Sequence, residues 1–225
     1  ERALDWFPLF NSLRFALLAT IVVFFTGIGA AYFISRLPRA CKGILDVLLT
    51  LPLVLPPTVV GYFLLCLVGP RRPLGMWLAR IGWQLVMQWP GAVLASAVIA
   101  FPLMYRTARG AFESFDPDLR RAAQTLGLGN CYIFWRIMMP VCRPGICAGM
   151  VLSFARALGE YGATSMLIGY IPGKTATIST TVYQLWRIGD DSGAQKWVFI
   201  TLAISMAVLL AVNLLDNPKR KKGVS

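Results

Sequence analysis

Residues 121–140 read RAAQTLGLGNCYIFWRIMMP, a polar and basic interruption between two very hydrophobic segments. Within it Ala122-Ala123, Gly127, Ile137 and Pro140 fall at the spacing A-A-x3-G-x9-I-x-x-P. Just upstream, Asp116 is a good helix N-cap, Pro117 suits the first helical position and Asp118 suits the first turn. These residues predict a short helix from Pro117 that ends near Gly127 or Gly129, where a left-handed cap is available. A second short helix is expected from Asn130 towards Met139, carrying Tyr132, Phe134, Trp135 and Met138, with Pro140 as its stop. Two short helices joined by a glycine turn make a knob over residues 116–140. The residues alone leave two readings open for it: an amphipathic hairpin resting on a lipid surface, or a docking element for a partner.

Composition sets the surroundings of this knob. The 225 residues are 57% hydrophobic and only 14% charged, whereas soluble domains carry about 25% charged residues. Uncharged runs at Phe15–Ser35, Val47–Pro70, Ile81–Tyr105 and Trp197–Leu215 each reach the roughly 17–25 residues that cross a hydrocarbon core. A fifth stretch, Pro144–Pro172, has spanning length but contains Arg156 and Glu160. The expected architecture is all-α: a single membrane domain over 1–225 with five spans near 13–35, 46–69, 84–106, 145–170 and 196–215. The first run is too long and uninterrupted for a cleaved signal peptide.

The net charge of +12 is informative through its distribution. Five spans put the termini on opposite sides. One side then collects Arg36, Arg39, Lys42, Arg106, Arg109, Arg120, Arg121, Arg136, Arg143, Lys219, Arg220, Lys221 and Lys222, which is 13 basic residues. The other holds eight: Arg2, Arg14, Arg71, Arg72, Arg80, Lys174, Arg187 and Lys196. The positive-inside rule places the N-terminus outside, the C-terminus in the cytosol and the knob in the cytosol. Nucleic acid is not an expected partner, since no soluble domain presents a basic face. The sequence has no histidine, which removes the commonest transition-metal ligand and the usual general base. Its five cysteines are odd in number and match no zinc spacing. Free thiols and no metal site are expected.

Within the spans, Pro52, Pro56 and Pro57 each remove an amide donor, so the second span must kink or break. Broken backbone at membrane depth is tolerated where protein or a water-filled cavity rescues the freed groups, and broken helices mark transport paths. Thr58 follows the break directly and can satisfy a freed group or line a gate. Arg156 and Glu160 stand four apart, which predicts one shared helix face in the fourth span. Ionisable groups at that depth face the interior and pair, and two readings stay open: a buried structural ion pair, or the lining of an oxyanion path. Gly145, Gly149, Ser153 and Ala157 form a small-residue stripe suited to packing on a neighbouring span or on a second subunit. The segment from Gly169 to Thr175 is similar to a phosphate-binding loop, G-x4-G-K-[ST], but is one residue short and follows no strand.

The knob sequence resembles the EAA-type coupling motif in the membrane subunits of bacterial ABC importers, E-A-A-x3-G-x9-I-x-L-P. Arg121 stands where that pattern has Glu, and Met139 where it has Leu. Two further stretches, LPLVLPPTVVGYFLL (residues 51–65) and SFARALGEYGATSMLIGYIPGKTATISTTVY (residues 153–183), look like those of the molybdate and tungstate permeases, near relatives of the sulfate permeases. The resemblance covers essentially the whole chain.

It implies the membrane domain of a type I ABC importer in a bacterial inner membrane, carrying molybdate or tungstate, with a sulfate or thiosulfate permease as the alternative. It implies a homodimer with the conduit at its interface, two cytosolic ABC ATPase subunits and a periplasmic oxyanion-binding protein. ATP and Mg²⁺ would be bound by the ATPases, and this chain would need neither cofactor nor catalytic residue. Coupling falls to Arg121, Ala122, Ala123, Gly127, Ile137 and Pro140, and the path or gate to Pro56, Pro57, Thr58, Arg156 and Glu160. A membrane-embedded enzyme, the rival class, would need clustered His, Asp or Glu at one membrane face.

Overall fold

The computed structural model describes residues 5–215, apart from the side chains of residues 39, 40 and 211–215. Every regular element among them is helical. Helix α1 (Phe7–Ser35) carries Pro8 in its first turn and ends ahead of Pro38, which disfavours helical backbone at the residue before it. Next come α2 (Arg39–Val54), α3 (Pro57–Val68), the short α4 (Pro73–Arg80), α5 (Trp89–Glu113) and α6 (Pro117–Thr125). After α7 (Asn130–Ile133) a π turn spans Phe134–Met138 and leads directly into α8 (Met139–Leu158). The chain closes with α9 (Gly162–Ile168), α10 (Ile178–Arg187) and α11 (Asp191–Leu215).

Four stretches among the described residues are long and apolar enough to cross a membrane: Phe7–Ser35, Trp89–Glu113, Asn130–Leu158 and Asp191–Leu210. A bent pair, Cys41–Val54 with Pro57–Val68, is apolar enough to make a fifth if it is taken as one span, and its two helices turn by 113° at the break between them. Leu55 and Pro56 each precede a proline and both adopt extended backbone, with ψ of 142° and 134°, as prolines impose on the residue before them. Pro57 then opens α3 at a position where no donor is needed.

The core is a three-helix contact of α1, α5 and α8, built from Ala16, Ala19, Val23, Ala100, Met104, Ala108 and Ile146. Small side chains bring backbones close where lipid provides no hydrophobic drive between helices. The stripe on α8 serves this contact. Gly145 lies against Ala111, Gly149 against Thr107, and Ser153 Oγ donates to Ala100 O at 3.4 Å. A second cluster joins α3, α5 and α9 through Val60, Leu64, Ala92, Ile99, Ala163 and Leu167.

The structure revises four expectations. Pro140 does not stop a helix: the π turn before it lets Met139 N–H reach Phe134 O, a widened register that absorbs the missing proline donor. The fourth crossing therefore starts at Asn130 rather than near 145 and ends at Leu158. Arg156 and Glu160 do not share one helix, because Glu160 lies in the break before α9. The third crossing runs from Trp89 to Glu113, beyond Arg106 and Arg109, rather than over 84–106, while the break expected at the prolines of the second span is present. Arg2 and the basic residues Lys219 to Lys222 lie outside the described residues.

Candidate coupling knob and translocation path

Local chemistry shapes α6. Asp116 accepts from Asp118 N–H at 2.8 Å as the N-cap. At the other end Gly127 takes φ +74°. There Leu128 N–H donates to Ala123 O at 3.2 Å and Gly127 N–H to Gln124 O at 3.0 Å. This pair of bonds is a Schellman cap, which a glycine completes without a Cβ penalty. Ala123 is buried, whereas Ala122, Leu126 and Gly127 are exposed. Leu126, at 79% exposure, is the apolar tip of the knob. Arg121 is also exposed and pairs with Asp118 at 3.0 Å, one turn earlier on α6.

The knob's far half is anchored by aromatic rings that no motif announces. Phe134 meets Tyr32 of α1 edge-on at 4.4 Å and Phe112 of α5 at 6.1 Å, while Arg36 stacks over the Tyr32 ring at 3.8 Å. Such pairs contribute about 1 kcal/mol each beyond the area they cover. Ile133 and Met138 are buried beside them and Ile137 is partly buried. Pro140 is exposed in the first turn of α8. The residues of the motif thus divide: Arg121, Ala122 and Gly127 are exposed, while Ala123 and Ile137 are buried or partly buried against the base of the knob.

A ladder of charges, also unannounced, ties α2 to the end of α5 beside this base. Arg109 pairs with Asp46 and, at 3.0 Å, with Glu113, which in turn holds Lys42.

The two breaks come together. Glu160, buried to 3% exposure, accepts from Arg156 Nη1 at 2.7 Å through one oxygen and from Ala163 N–H at 2.8 Å through the other. It therefore neutralises the Arg156 guanidinium in the last turn of α8 and satisfies a free amide at the start of α9. Gly162 lies on the first turn of α3: a Cβ there would sit 2.9 Å from Pro57 Cβ and 3.0 Å from Thr58 N. Gly61 makes the reciprocal approach, its Cβ position 2.7 Å from Ala163 Cα. Only glycine permits this spacing, so the broken ends of α3 and α9 form one packed unit. Thr58 is exposed at its edge and Arg156 is half-buried. The structure brings Pro57 and Thr58 to the α9 start that Glu160 caps, with Arg156 held to it. Pro56 supplies the extended turn into α3.

The segment similar to a phosphate loop is closed on itself. The amides of Lys174, Thr175 and Ala176 all donate to Ile171 O, so none points out to cradle a phosphate. Asn11 and Ser12 of α1 bind this segment through Ala176 O and Ile178 N, both at 2.8 Å.

This chain belongs to the family described as binding-protein-dependent transport system inner membrane component, whose model matches residues 11–216. It is 42% identical over 220 residues to the molybdenum transport system permease protein ModB of Escherichia coli (strain K12), covering 97% of this chain and 96% of the relative. A putative molybdenum transport system permease protein of Bacillus subtilis (strain 168) is 40% identical over 91% of both chains. A sulfate transport system permease protein of Escherichia coli (strain K12) is 31% identical, covering 92% of this chain and 74% of its own. Among solved structures, a bacterial ABC transporter involved in import of the acidic polysaccharide alginate matches with a TM-score of 0.75 at 18% identity, covering 100% of this chain and 82% of that one. The fold is that of an ABC importer membrane domain, and the protein is a multi-pass membrane permease component.

Proposed function

We propose that this chain is the membrane-spanning permease subunit of an importer for molybdate or tungstate. The observation that carries the reading is the 42% identity to a molybdenum permease along nearly the full length of both chains. Sulfate or thiosulfate is the less favoured cargo, since the sulfate relative is more distant and only partly covered.

In this reading two copies of the chain enclose the conduit, and the basic side with its knob faces the cytosol. The N-terminus lies outside and the C-terminus in the cytosol. An ABC ATPase docks on each knob through Leu126, Gly127, Ala122 and Arg121, and an oxyanion-binding protein delivers cargo to the opposite face. ATP and Mg²⁺ are handled by the ATPases, and this chain performs no catalysis. Closure of the ATPases draws the two knobs together and moves α8, whose last turn carries Arg156 at the packed breaks. There Arg156 offers positive charge to a passing anion, and Glu160 limits how firmly it is held.

Proteoliposomes containing the chain with its ATPase and binding protein test this. ATP-dependent uptake of molybdate, in preference to sulfate, is the expected result. ATP hydrolysis indifferent to the presence of this chain and the binding protein would overturn the permease reading.

A further inference from the structure

A groove of about 800 Å³ opens between α1, α5 and the segment that joins α4 to α5. This volume lies within the range of small-molecule sites. Leu18 and Val22 of α1 and Val93 and Ala97 of α5 make up its apolar walls. Its other end is polar: Gln84, Gln88 and Trp89 line it, and the Arg14 guanidinium lies over the Trp89 ring at 4.9 Å. The two ends are ordered along the helices. Leu18 and Val22 follow Arg14 by one and two turns, which gives about 12 Å of apolar wall below the cation.

Charge around the mouth has one sign. No lining residue is acidic, and among the described residues no carboxylate pairs with Arg14. Arg71, Arg72 and Arg80 bracket α4, whose Leu78 and Ala79 form one wall. Trp77 and Trp83 are exposed beside it, as aromatic side chains are at the boundary between headgroups and hydrocarbon.

An apolar slot between two membrane-crossing helices, with a cation and amide side chains at its interfacial end, matches one ligand class in both shape and charge. We infer that this groove binds an anionic phospholipid, its acyl chain along Leu18, Val22, Val93 and Ala97 and its phosphate near Arg14, Gln84 and Gln88. Arg14 then reads the headgroup charge, and Trp89 holds the guanidinium in place beneath it.

Native mass spectrometry of the purified full chain tests the inference, using mixed micelles of equal phosphatidylglycerol and phosphatidylcholine with matched acyl chains. Wild type is expected to retain phosphatidylglycerol about fivefold over phosphatidylcholine, the effect of roughly one basic residue at a membrane surface. Arg14→Gln should bring the ratio to parity and Arg14→Lys should preserve it. Leu18→Trp, which fills the apolar end, should lower retention of both lipids. Equal retention by wild type, or an undiminished preference in folded Arg14→Gln, would overturn the inference. So would a Leu18→Trp chain that loses self-association while keeping its lipid, since a second copy of the chain would then cover the groove.

Discussion

Glu160 and Arg156 pair across the end of α8, the carboxylate shut away from solvent and the guanidinium 31% exposed. Because the second carboxylate oxygen caps Ala163, the pair joins two helices as well as two charges. Glu160→Ala leaves both partners unmatched, at a cost of about 3 kcal/mol or more, and should lower the thermal unfolding midpoint in detergent sharply. Glu160→Gln keeps an acceptor for Ala163 and should lower it less. Equal midpoints for the two variants would contradict the capping role. Arg156→Lys is expected to keep the fold while reducing uptake, which separates anion handling from architecture.

The Schellman cap at Gly127 gives a test of the knob. Gly127→Ala places a side chain at φ +74°, costing about 1 kcal/mol, whereas Gly127→Asn tolerates that region better. Space is open around the position, so the penalty is conformational. Uptake per ATP hydrolysed should fall in the order glycine, asparagine, alanine. Unchanged uptake in Gly127→Ala would remove the knob from the coupling role.

The contact of the two breaks is tested at Gly162. Gly162→Val must separate α9 from Pro57 and Thr58, given the 2.9 and 3.0 Å approaches of a Cβ alone. Gly29→Ala, where nothing lies within 4 Å, is the control. Uptake and detergent stability should both drop for Gly162→Val and stay at wild-type values for Gly29→Ala. Normal uptake by Gly162→Val would sever the link between this packing and transport.

Removing the aromatic anchor should loosen the knob without unfolding the bundle. Phe134→Ala loses its ring contacts with Tyr32 and Phe112, about 1 kcal/mol for each. Amide exchange across residues 117–133 should then speed roughly tenfold or more, with α1 and α5 unaffected. Exchange at the wild-type rate would show that the buried Ile133 and Met138 suffice to hold the knob.

What could be read beforehand depended on range. The ends of α6 were legible because Asp116, Pro117 and Gly127 act on their own few neighbours. The double proline announced a break by the same local logic. Its 113° turn and its seat against Gly162 depend on a partner about a hundred positions away. The π turn was hidden for the same reason, since it accompanies packing of Phe134 among rings of α1 and α5. Asp46 and Arg109, 63 positions apart, were visible only as isolated charges near the ends of apolar runs. Arg156 and Glu160 were correctly paired by their spacing. That spacing alone did not tell an unbroken helix from a helix end followed by a capping residue.

The π turn has a mechanical consequence. Measured from its centre at Arg136, Asn130 lies about 9 Å away along the Asn130–Leu158 rod and Arg156 about 30 Å away in the other direction. A rigid beam pivoting there would magnify displacement between Asn130 and Arg156 by roughly threefold, the ratio of the arms. A shift of about 1 Å at Asn130 would thus become about 3 Å at Arg156. Residues 134–138 would then serve this protein as a fulcrum whose position sets its gearing.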